Sequence, residues 1–253
     1  MHNPSPEFGG TARTVIIVPC YNEADRLPCD AFRRFLTANP RVDFIFVNDG
    51  SSDGTLAVLQ TLHGEFKTRV HVLDKSANGG KAAAVRDGML AALRGEPEIV
   101  GFWDADLATP LEAIDSFLQV LDSRPEVEMV FGSRVQLLGR QIQRRAIRHY
   151  LGRIFATFAS MVLHLPIYDT QCGAKLFRAT PQLRAALREP FISGWIFDVE
   201  LIARFLALSG PSVKDRIYEY PLQKWMDVAG SKVRAGDFFR AFLELVAIRR
   251  RYF

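Results

Sequence analysis

Cysteine is scarce. Cys20, Cys29 and Cys172 are the whole supply in 253 residues, and they show neither metal-site spacing nor a disulfide framework. The sequence therefore predicts a protein of a reducing compartment, taken here as cytoplasmic. Long apolar runs are also lacking. No stretch approaches the ~20 apolar residues of a membrane-spanning helix, so the expected membrane contact is peripheral, on the cytoplasmic membrane face. The first ten residues are polar and rich in Pro and Gly, without the apolar centre of a signal peptide. Residues 1–12 are expected to be disordered. Neither sign of charge dominates: 32 Lys and Arg against 28 Asp and Glu leave a net +4, so no nucleic-acid partner is expected. No internal repeat or low-complexity linker breaks the chain. With 48% hydrophobic residues, it can bury a sizeable core.

What is present is a regular alternation. Residues 15–18 form a β-branched run stopped by Pro19, a buried-strand pattern. Residues 23–37 carry apolar positions at helical spacing. Residues 42–47 alternate and close in Asn48-Asp49-Gly50-Ser51-Ser52-Asp53-Gly54-Thr55, a turn cluster in which Asp53 is placed to cap a helix over 54–63. A strand at 70–73 follows. Asn78-Gly79-Gly80 then opens an Ala-rich helix over 81–94. Next come a strand at 98–103, a helix over 110–122 with Pro110 in its first turn, and a strand at 127–131. This order predicts a parallel-dominated α/β sheet with helices on both faces.

The pattern changes after about residue 134. An amphipathic helix is predicted over 142–164, with Arg140, Arg144, Arg145, Arg148 and Arg153 crowded near its start. A loop returning to a strand covers 168–177, a helix 196–208 and a strand 217–222. A second amphipathic helix over 237–251 ends in Arg249-Arg250-Arg251. The expectation is one domain over 13–253, with halves at 13–133 and 134–253.

The polar clusters fall where ligands bind in such sheets, at the carboxyl ends of strands. Tyr21-Asn22-Glu23 follows the first strand, Asn48-Asp49 the second, and Asp104-Ala105-Asp106 the fourth. Two carboxylates at i and i+2 suit one hard divalent cation, Mg²⁺ or Mn²⁺, with positions left for phosphate oxygens. Alone, Asp104 and Asp106 also read as two solvated acids at a strand end. Three acid-bearing loops on one rim outweigh that reading.

Together these residues resemble a known family. Pro19-Cys20-Tyr21-Asn22-Glu23, the Asn48 to Thr55 cluster, Asp104-Ala105-Asp106 and Gly132-Ser133-Arg134, in this order, resemble the inverting family 2 glycosyltransferases of the GT-A fold. Asp169-Thr170-Gln171-Cys172-Gly173-Ala174-Lys175-Leu176-Phe177, Trp195-Ile196-Phe197-Asp198-Val199-Glu200-Leu201 and Gly230-Ser231-Lys232 are similar to dolichyl-phosphate β-glucosyltransferases. The polyprenyl-phosphate sugar synthases share much of this. The similarity spans roughly residues 13–251. It implies an α/β GT-A fold, with a Rossmann-like, mostly parallel central sheet, helices on both faces and C-terminal amphipathic helices.

The resemblance also implies roles. Asp106 and Asp104 are the metal residues, Asp106 as direct ligand. Glu23 and Asp49 accept hydrogen bonds from base and ribose, and Pro19, Tyr21, Asn48, Lys81 and Lys232 complete the donor side. Asp198 matches the acid near the acceptor, a general base for a hydroxyl or an orienting group for an acceptor that is already anionic. Arg134, Arg144, Arg145 and Arg148 suit a lipid phosphate. Plainer roles stand beside these: a helix N-terminal acid for Glu23 and Asp198, a turn acid for Asp49 and Asp169, a surface lysine for Lys81, a solvated face for the arginines. Cys172 reads as a small buried residue. Ala108 stands where mannose synthases of this kind carry Gln, which favours UDP-glucose over GDP-mannose.

The expected activity is metal-dependent transfer of a hexose, glucose from UDP-glucose, to a polyprenyl (dolichyl-type) phosphate. One alternative is a family 2 transferase using a saccharide or protein hydroxyl. Another is a nucleotide-sugar-binding protein on the same fold without catalysis.

Overall fold

The computed structural model describes residues 14–143, 146–227 and 235–253; the side chains at 146–149, 151, 211–212 and 235–239 lie outside that description. The N-terminal segment 1–12, Arg144, Arg145 and Lys232 therefore fall outside the described residues, and Arg148 is described in its backbone only. The elements run β1 (Thr14–Cys20), α1 (Cys29–Ala38), β2 (Val42–Asp49), α2 (Thr55–Glu65), β3 (Val70–Lys75), α3 (Lys81–Ala92), β4 (Ile99–Trp103), α4 (Ala113–Ser123) and β5 (Met129–Ser133). They continue with β6 (Gln141–Gln143), α5 (Ala146–Leu163), β7 (Ala174–Arg178), α6 (Pro181–Ala186), α7 (Phe197–Ser209), β8 (Ile217–Pro221), β9 (Lys224–Met226) and α8 (Ala235–Tyr252). Seven strands form a sheet in the order β3-β2-β1-β4-β7-β5-β8, and β6 and β9 make a separate two-stranded ribbon. The chain gathers into two compact units, Met1–Leu107 with Leu176–Ala179, and Ala108–Lys175 with Thr180–Phe253.

In the first unit β1 pairs in parallel with β2 and β4, and β2 with β3. All eight residues of β2 are buried. Its polar-looking alternation hides a strand covered on both faces, where Asp43 survives burial by pairing with Arg69 at 3.3 Å. Phe44 and Phe46 meet Phe32 of α1 edge-on, at 5.4 and 5.0 Å between ring centres. The expected helix over 23–37 forms only from Cys29, because Pro28 supplies no N–H to an earlier turn. Residues 24–26 form a turn instead. Helix α3 lies so close to the sheet that a Cβ on Gly88 would stand 2.6 Å from Ile17 Cγ2 and 2.9 Å from Val47 Cγ2.

In the second unit β5 pairs in parallel with β8, in register from Met129 and Ile217. Phe117 of α4 packs on Tyr220 of β8 at 5.3 Å. Helix α7 is buried over its first nine residues, charged ones included. Glu200 and Arg204 pair there at 2.6 Å. Arg204 also donates to the carbonyls of Ala186, Glu189 and Pro190, so its burial leaves little hydrogen-bonding demand unmet. Helix α5 begins at Ala146 rather than at 142, since Gln141–Gln143 pairs with Lys224–Met226 as an extended ribbon.

Candidate active site

Because β1 to β4 run parallel, the loops that follow them leave one edge of the sheet of the first unit. The β1 and β2 loops are laced together. Asn22 N donates to Ser51 Oγ at 3.0 Å, and Ser52 N donates to Asn22 Oδ1 at 2.9 Å. Glu23 N donates to Thr55 Oγ1 at 2.8 Å, and Ala24 N to Asp53 Oδ2 at 3.2 Å. Asn22 takes a φ of 53°, a conformation Asn tolerates better than most residues. Asp53 does not cap α2 as a conventional N-cap, a position that Gly54 fills. It accepts the hydroxyl and N–H of Thr55 instead, and the hydroxyl bond chiefly holds its carboxyl below the usual range.

Asp49 is buried and engaged within the chain. Its Oδ1 accepts Gly79 N at 3.0 Å and Lys75 Nζ at 2.7 Å, and its Oδ2 accepts Gly80 N at 2.8 Å. Asn48 Nδ2 donates to Asp74 Oδ1 at 2.7 Å. Gly50 allows the approach: at φ 66°, a Cβ there would stand 2.4 Å from Asn78 N. Asp49 thus fixes the turn that presents Lys81 as the first residue of α3. Lys81 Nζ lies 2.5 Å from Asp104 Oδ1, with both side chains partly exposed. Glu23 accepts from Arg26 at 2.6 Å. The ring of Tyr21 is exposed on the rim, and Pro19 is half-buried at the end of β1.

Asp106 is exposed in the turn after β4, and Leu107 N closes that turn on Asp104 O at 3.2 Å. Among the described residues no group of three or more His, Cys, Asp or Glu side chains is arranged to hold a metal. Two neighbouring carboxylates alone fit a hard cation that completes its shell with phosphate oxygens and water, the habit of Mg²⁺.

The second unit holds the expected acceptor-side residues. Arg134 follows β5 and is occupied by Asp169, to which its backbone N, Nε and Nη2 donate at 3.1, 2.6 and 2.8 Å. Its guanidinium also lies 5.3 Å from the Trp225 ring centre. An arginine expected on a lipid phosphate thus has a resident carboxylate partner. Glu219 of β8 accepts Tyr168 N at 2.9 Å and Asp169 N at 2.6 Å, and burial pushes its carboxyl above the usual range. Arg153 of α5 donates to Tyr168 O at 3.0 Å. Cys172 is fully buried, and burial lifts its thiol to about 11, so it stays protonated and unreactive near neutral pH.

Asp198, expected near the acceptor, is paired with a buried lysine that the motif pattern did not single out. Lys175 Nζ donates to Thr170 O at 3.0 Å, Cys172 O at 2.5 Å and Asp198 Oδ1 at 2.5 Å. The side chains of Lys175 and Asp198 are 1% and 5% exposed. The signal was available: Lys175 stands between Ala174 and Leu176-Phe177 in an apolar strand, and a lysine so placed needs a partner. Asp198 sits in the first turn of α7, whose approach is held by Glu244, accepting Trp195 N and Ile196 N at 3.3 Å each.

Comparison with known proteins bears on the fold and the family. Among solved structures, glucosyl-3-phosphoglycerate synthase from Mycobacterium tuberculosis, crystallised with Mn²⁺ and UDP-glucose, superposes with a TM-score of 0.67. It is 18% identical, with 98% of this chain and 84% of that one covered, a likeness of fold and of the GT-A class. The dolichyl-phosphate beta-glucosyltransferase of Drosophila melanogaster is 35% identical over 246 residues, covering 91% of this chain and 72% of that protein. The protein of the same name from Saccharomyces cerevisiae is 32% identical over 264 residues, 94% of this chain and 74% of the relative. Polyprenol monophosphomannose synthase of Mycolicibacterium smegmatis is 29% identical over 194 residues, 77% of this chain and 72% of that protein. Residues 15–181 match the profile described as glycosyl transferase family 2, and the chain belongs to that family.

Proposed function

We propose that the protein transfers a glucosyl group from UDP-glucose to a polyprenyl phosphate, with inversion at the anomeric carbon. The names of the fly and yeast relatives supply the sugar and the acceptor class. The observation that carries the choice of acceptor is the buried Lys175–Asp198 pair. A hydroxyl acceptor needs a base to take its proton. A proton arriving on Asp198 would cancel the charge that pairs Lys175, and breaking a buried pair costs about 3–5 kcal/mol. A phosphate monoester asks for no base.

In the step proposed, an acceptor phosphate oxygen forms a bond to the anomeric carbon. The bond from that carbon to the diphosphate breaks on the opposite face, and its electron pair leaves on UDP. Asp106, with Asp104, would hold a divalent cation that neutralises charge on the leaving diphosphate. Glu23 and Tyr21 line the donor rim. Asp49 and Asn48 set the turns that shape it, and Lys81 brings a cation to the same rim as Asp104. Arg134 with Asp169, and Lys175 with Asp198, shape the acceptor side. Arg144, Arg145, Arg148 and Lys232 stay in the reading as further cations for phosphate groups.

The test is transfer of radiolabelled sugar from a panel of UDP- and GDP-sugars into organic-extractable polyprenyl phosphate, with Mn²⁺, Mg²⁺ or chelator. Label from UDP-glucose, lost with chelator and in Asp106→Ala, is the expected result. Label only from another donor would overturn the glucosyl assignment. Transfer to a soluble hydroxyl acceptor, with phosphate acceptors inert, would overturn the acceptor. UDP-glucose binding without turnover on any acceptor would move the reading to a non-catalytic binding protein.

A further inference from the structure

Helix α7 starts without a cap of its own. Ile196 stands at its N-cap position, and its side chain cannot accept a hydrogen bond. In a capping box the third helical residue reaches back to the N-cap N–H. Here that residue is Val199, which has nothing to offer. Asp198 lies between them, in the first turn, but its carboxylate is taken up by Lys175 Nζ at 2.5 Å.

The missing acceptor comes from α8. Glu244 Oε2 accepts Trp195 N and Ile196 N at 3.3 Å each, from nearly fifty residues on. Glu244 lies on the inward face of α8, where Ala241, Leu245 and Ile248 are buried at helical spacing around it. Its side chain is 12% exposed. A carboxylate among apolar neighbours is costly unless its oxygens are partnered. The backbone N–H groups supply that on one oxygen, and Arg240 Nε supplies it on the other at 3.1 Å. A second tie lies at the end of α8, where the Tyr252 hydroxyl donates to Glu200 Oε1 at 2.9 Å. Glu200 in turn accepts Ile192 N and Ser193 N at 3.1 and 2.8 Å. Two carboxylates thus hold the backbone of the segment 192–196 that leads into Asp198.

We propose that Glu244 is the positioning residue of Asp198. By capping α7 from α8 it leaves Asp198 free for Lys175 and sets where that pair stands. Glu244 touches no reacting atom and acts through the backbone alone. The proposal rests on the acceptor-side role proposed for Asp198. A misplacement of about 1 Å at an orienting group costs up to about a hundredfold in rate.

Steady-state transfer on the full chain tests it, with acceptor and UDP-glucose varied in turn, well below each thermal midpoint. Rates are counted per UDP-binding molecule, measured by calorimetry. Glu244→Ala is expected to lose about tenfold or more in kcat/KM for polyprenyl phosphate, with KM for UDP-glucose and Kd for UDP within about twofold of wild type. Glu244→Gln keeps an oxygen for the two N–H groups and is expected to recover most of the loss. Glu244→Asp keeps the charge but shortens the reach; it is the second variant if Glu244→Ala does not fold, with a loss confined to the acceptor side. Arg240→Ala leaves both N–H bonds in place and is expected to match wild type. A cap that serves stability alone would lower the midpoint of Glu244→Ala and leave every constant per folded molecule unchanged. That result overturns the proposal, as does an equal loss toward UDP-glucose. A wild-type chain that uses a soluble hydroxyl acceptor, with the same selective loss in Glu244→Ala, overturns the phosphate acceptor and supports the positioning role. Transfer to polyprenyl phosphate that Glu244→Ala leaves unchanged does the reverse, and a wild-type chain that transfers to no acceptor overturns both.

Discussion

Lys175 and Asp198 depend on each other, and that dependence is measurable. Both are buried, and the lysine also ties down Thr170 O and Cys172 O. Removing either partner leaves a charge in a place that water does not reach. Lys175→Met and Asp198→Asn are each expected to destabilise the fold by about 3–5 kcal/mol, and the double variant by clearly less than their sum. Denaturant unfolding of the three variants measures this; strict additivity would mean that the pair carries no coupling. Glu219 gives a pH signature. Its folded carboxyl sits above the ordinary value, chiefly through burial, although Tyr168 and Asp169 N–H groups pull it down. As pH rises from the ordinary carboxylate range through its folded value, the unfolded chain releases the proton first and stability falls. Wild type should therefore lose stability over that window more steeply than Glu219→Gln, and matching slopes in equilibrium unfolding would refute the assignment. Lys175 left a signal in its apolar strand, whereas the roles of Glu219 and Asp49 in holding their turns were not legible beforehand. Glu219 meets Tyr168 and Asp169 from about fifty residues away, and Asp49 meets Gly79 and Gly80 from about thirty. Motif spacing shows which residues reach a rim. It does not show which of them are spent on holding the rim together.

At the scale of elements, hydrophobic period and punctuation carried the strands well. β1 to β4 and α2 to α3 fall close to their expected places, because β-branched runs and Gly-rich turns act locally. The misses have identifiable causes. Apolar spacing from 23 ran through Pro28, and the helix starts only beyond it. The three-residue strands β6 and β9 are too short to show a period, and their pairing is long-range. Helix α6 is a six-residue segment begun by Thr180, whose hydroxyl accepts Leu183 N at 3.3 Å, a cap that went unread because the apolar spacing is so short. Packing supplies a prediction that no helix propensity would make. Ala is a better helix former than Gly by about 1 kcal/mol. Yet Gly88 touches the sheet so closely that a methyl group would press on Ile17 and Val47. Gly88→Ala is expected to destabilise by about 1–3 kcal/mol, since a packed strand pair cannot step aside. A rise in the chemical unfolding midpoint would show that the contact gives way.

For the whole molecule, two separate groups of residues imply two separable failures. Glu23, Asp49, Lys81, Asp104 and Asp106, proposed for the donor side, belong to the first unit, while Arg134, Asp169 and Asp198, proposed for the acceptor side, belong to the second. A ligand at free concentration L that binds only the folded state stabilises it by RT ln(1 + L/Kd), about 2.7 kcal/mol at a hundred times its dissociation constant. UDP with Mn²⁺ should therefore raise the thermal midpoint of the wild-type chain, and UDP with chelator should raise it much less. Asp106→Ala should keep a near-normal midpoint without ligand, because its side chain is exposed, and lose most of the metal-dependent gain. Lys175→Met should show the opposite pattern: a lowered starting midpoint with the gain largely intact. Thermal unfolding of the three proteins, each with UDP, with UDP and Mn²⁺, and with neither, separates the cases. An undiminished gain in Asp106→Ala would remove Asp106 from the metal site. A lost gain in a folded Lys175→Met would place the buried lysine on the donor side as well, and its pairing with Asp198 would no longer favour a phosphate acceptor.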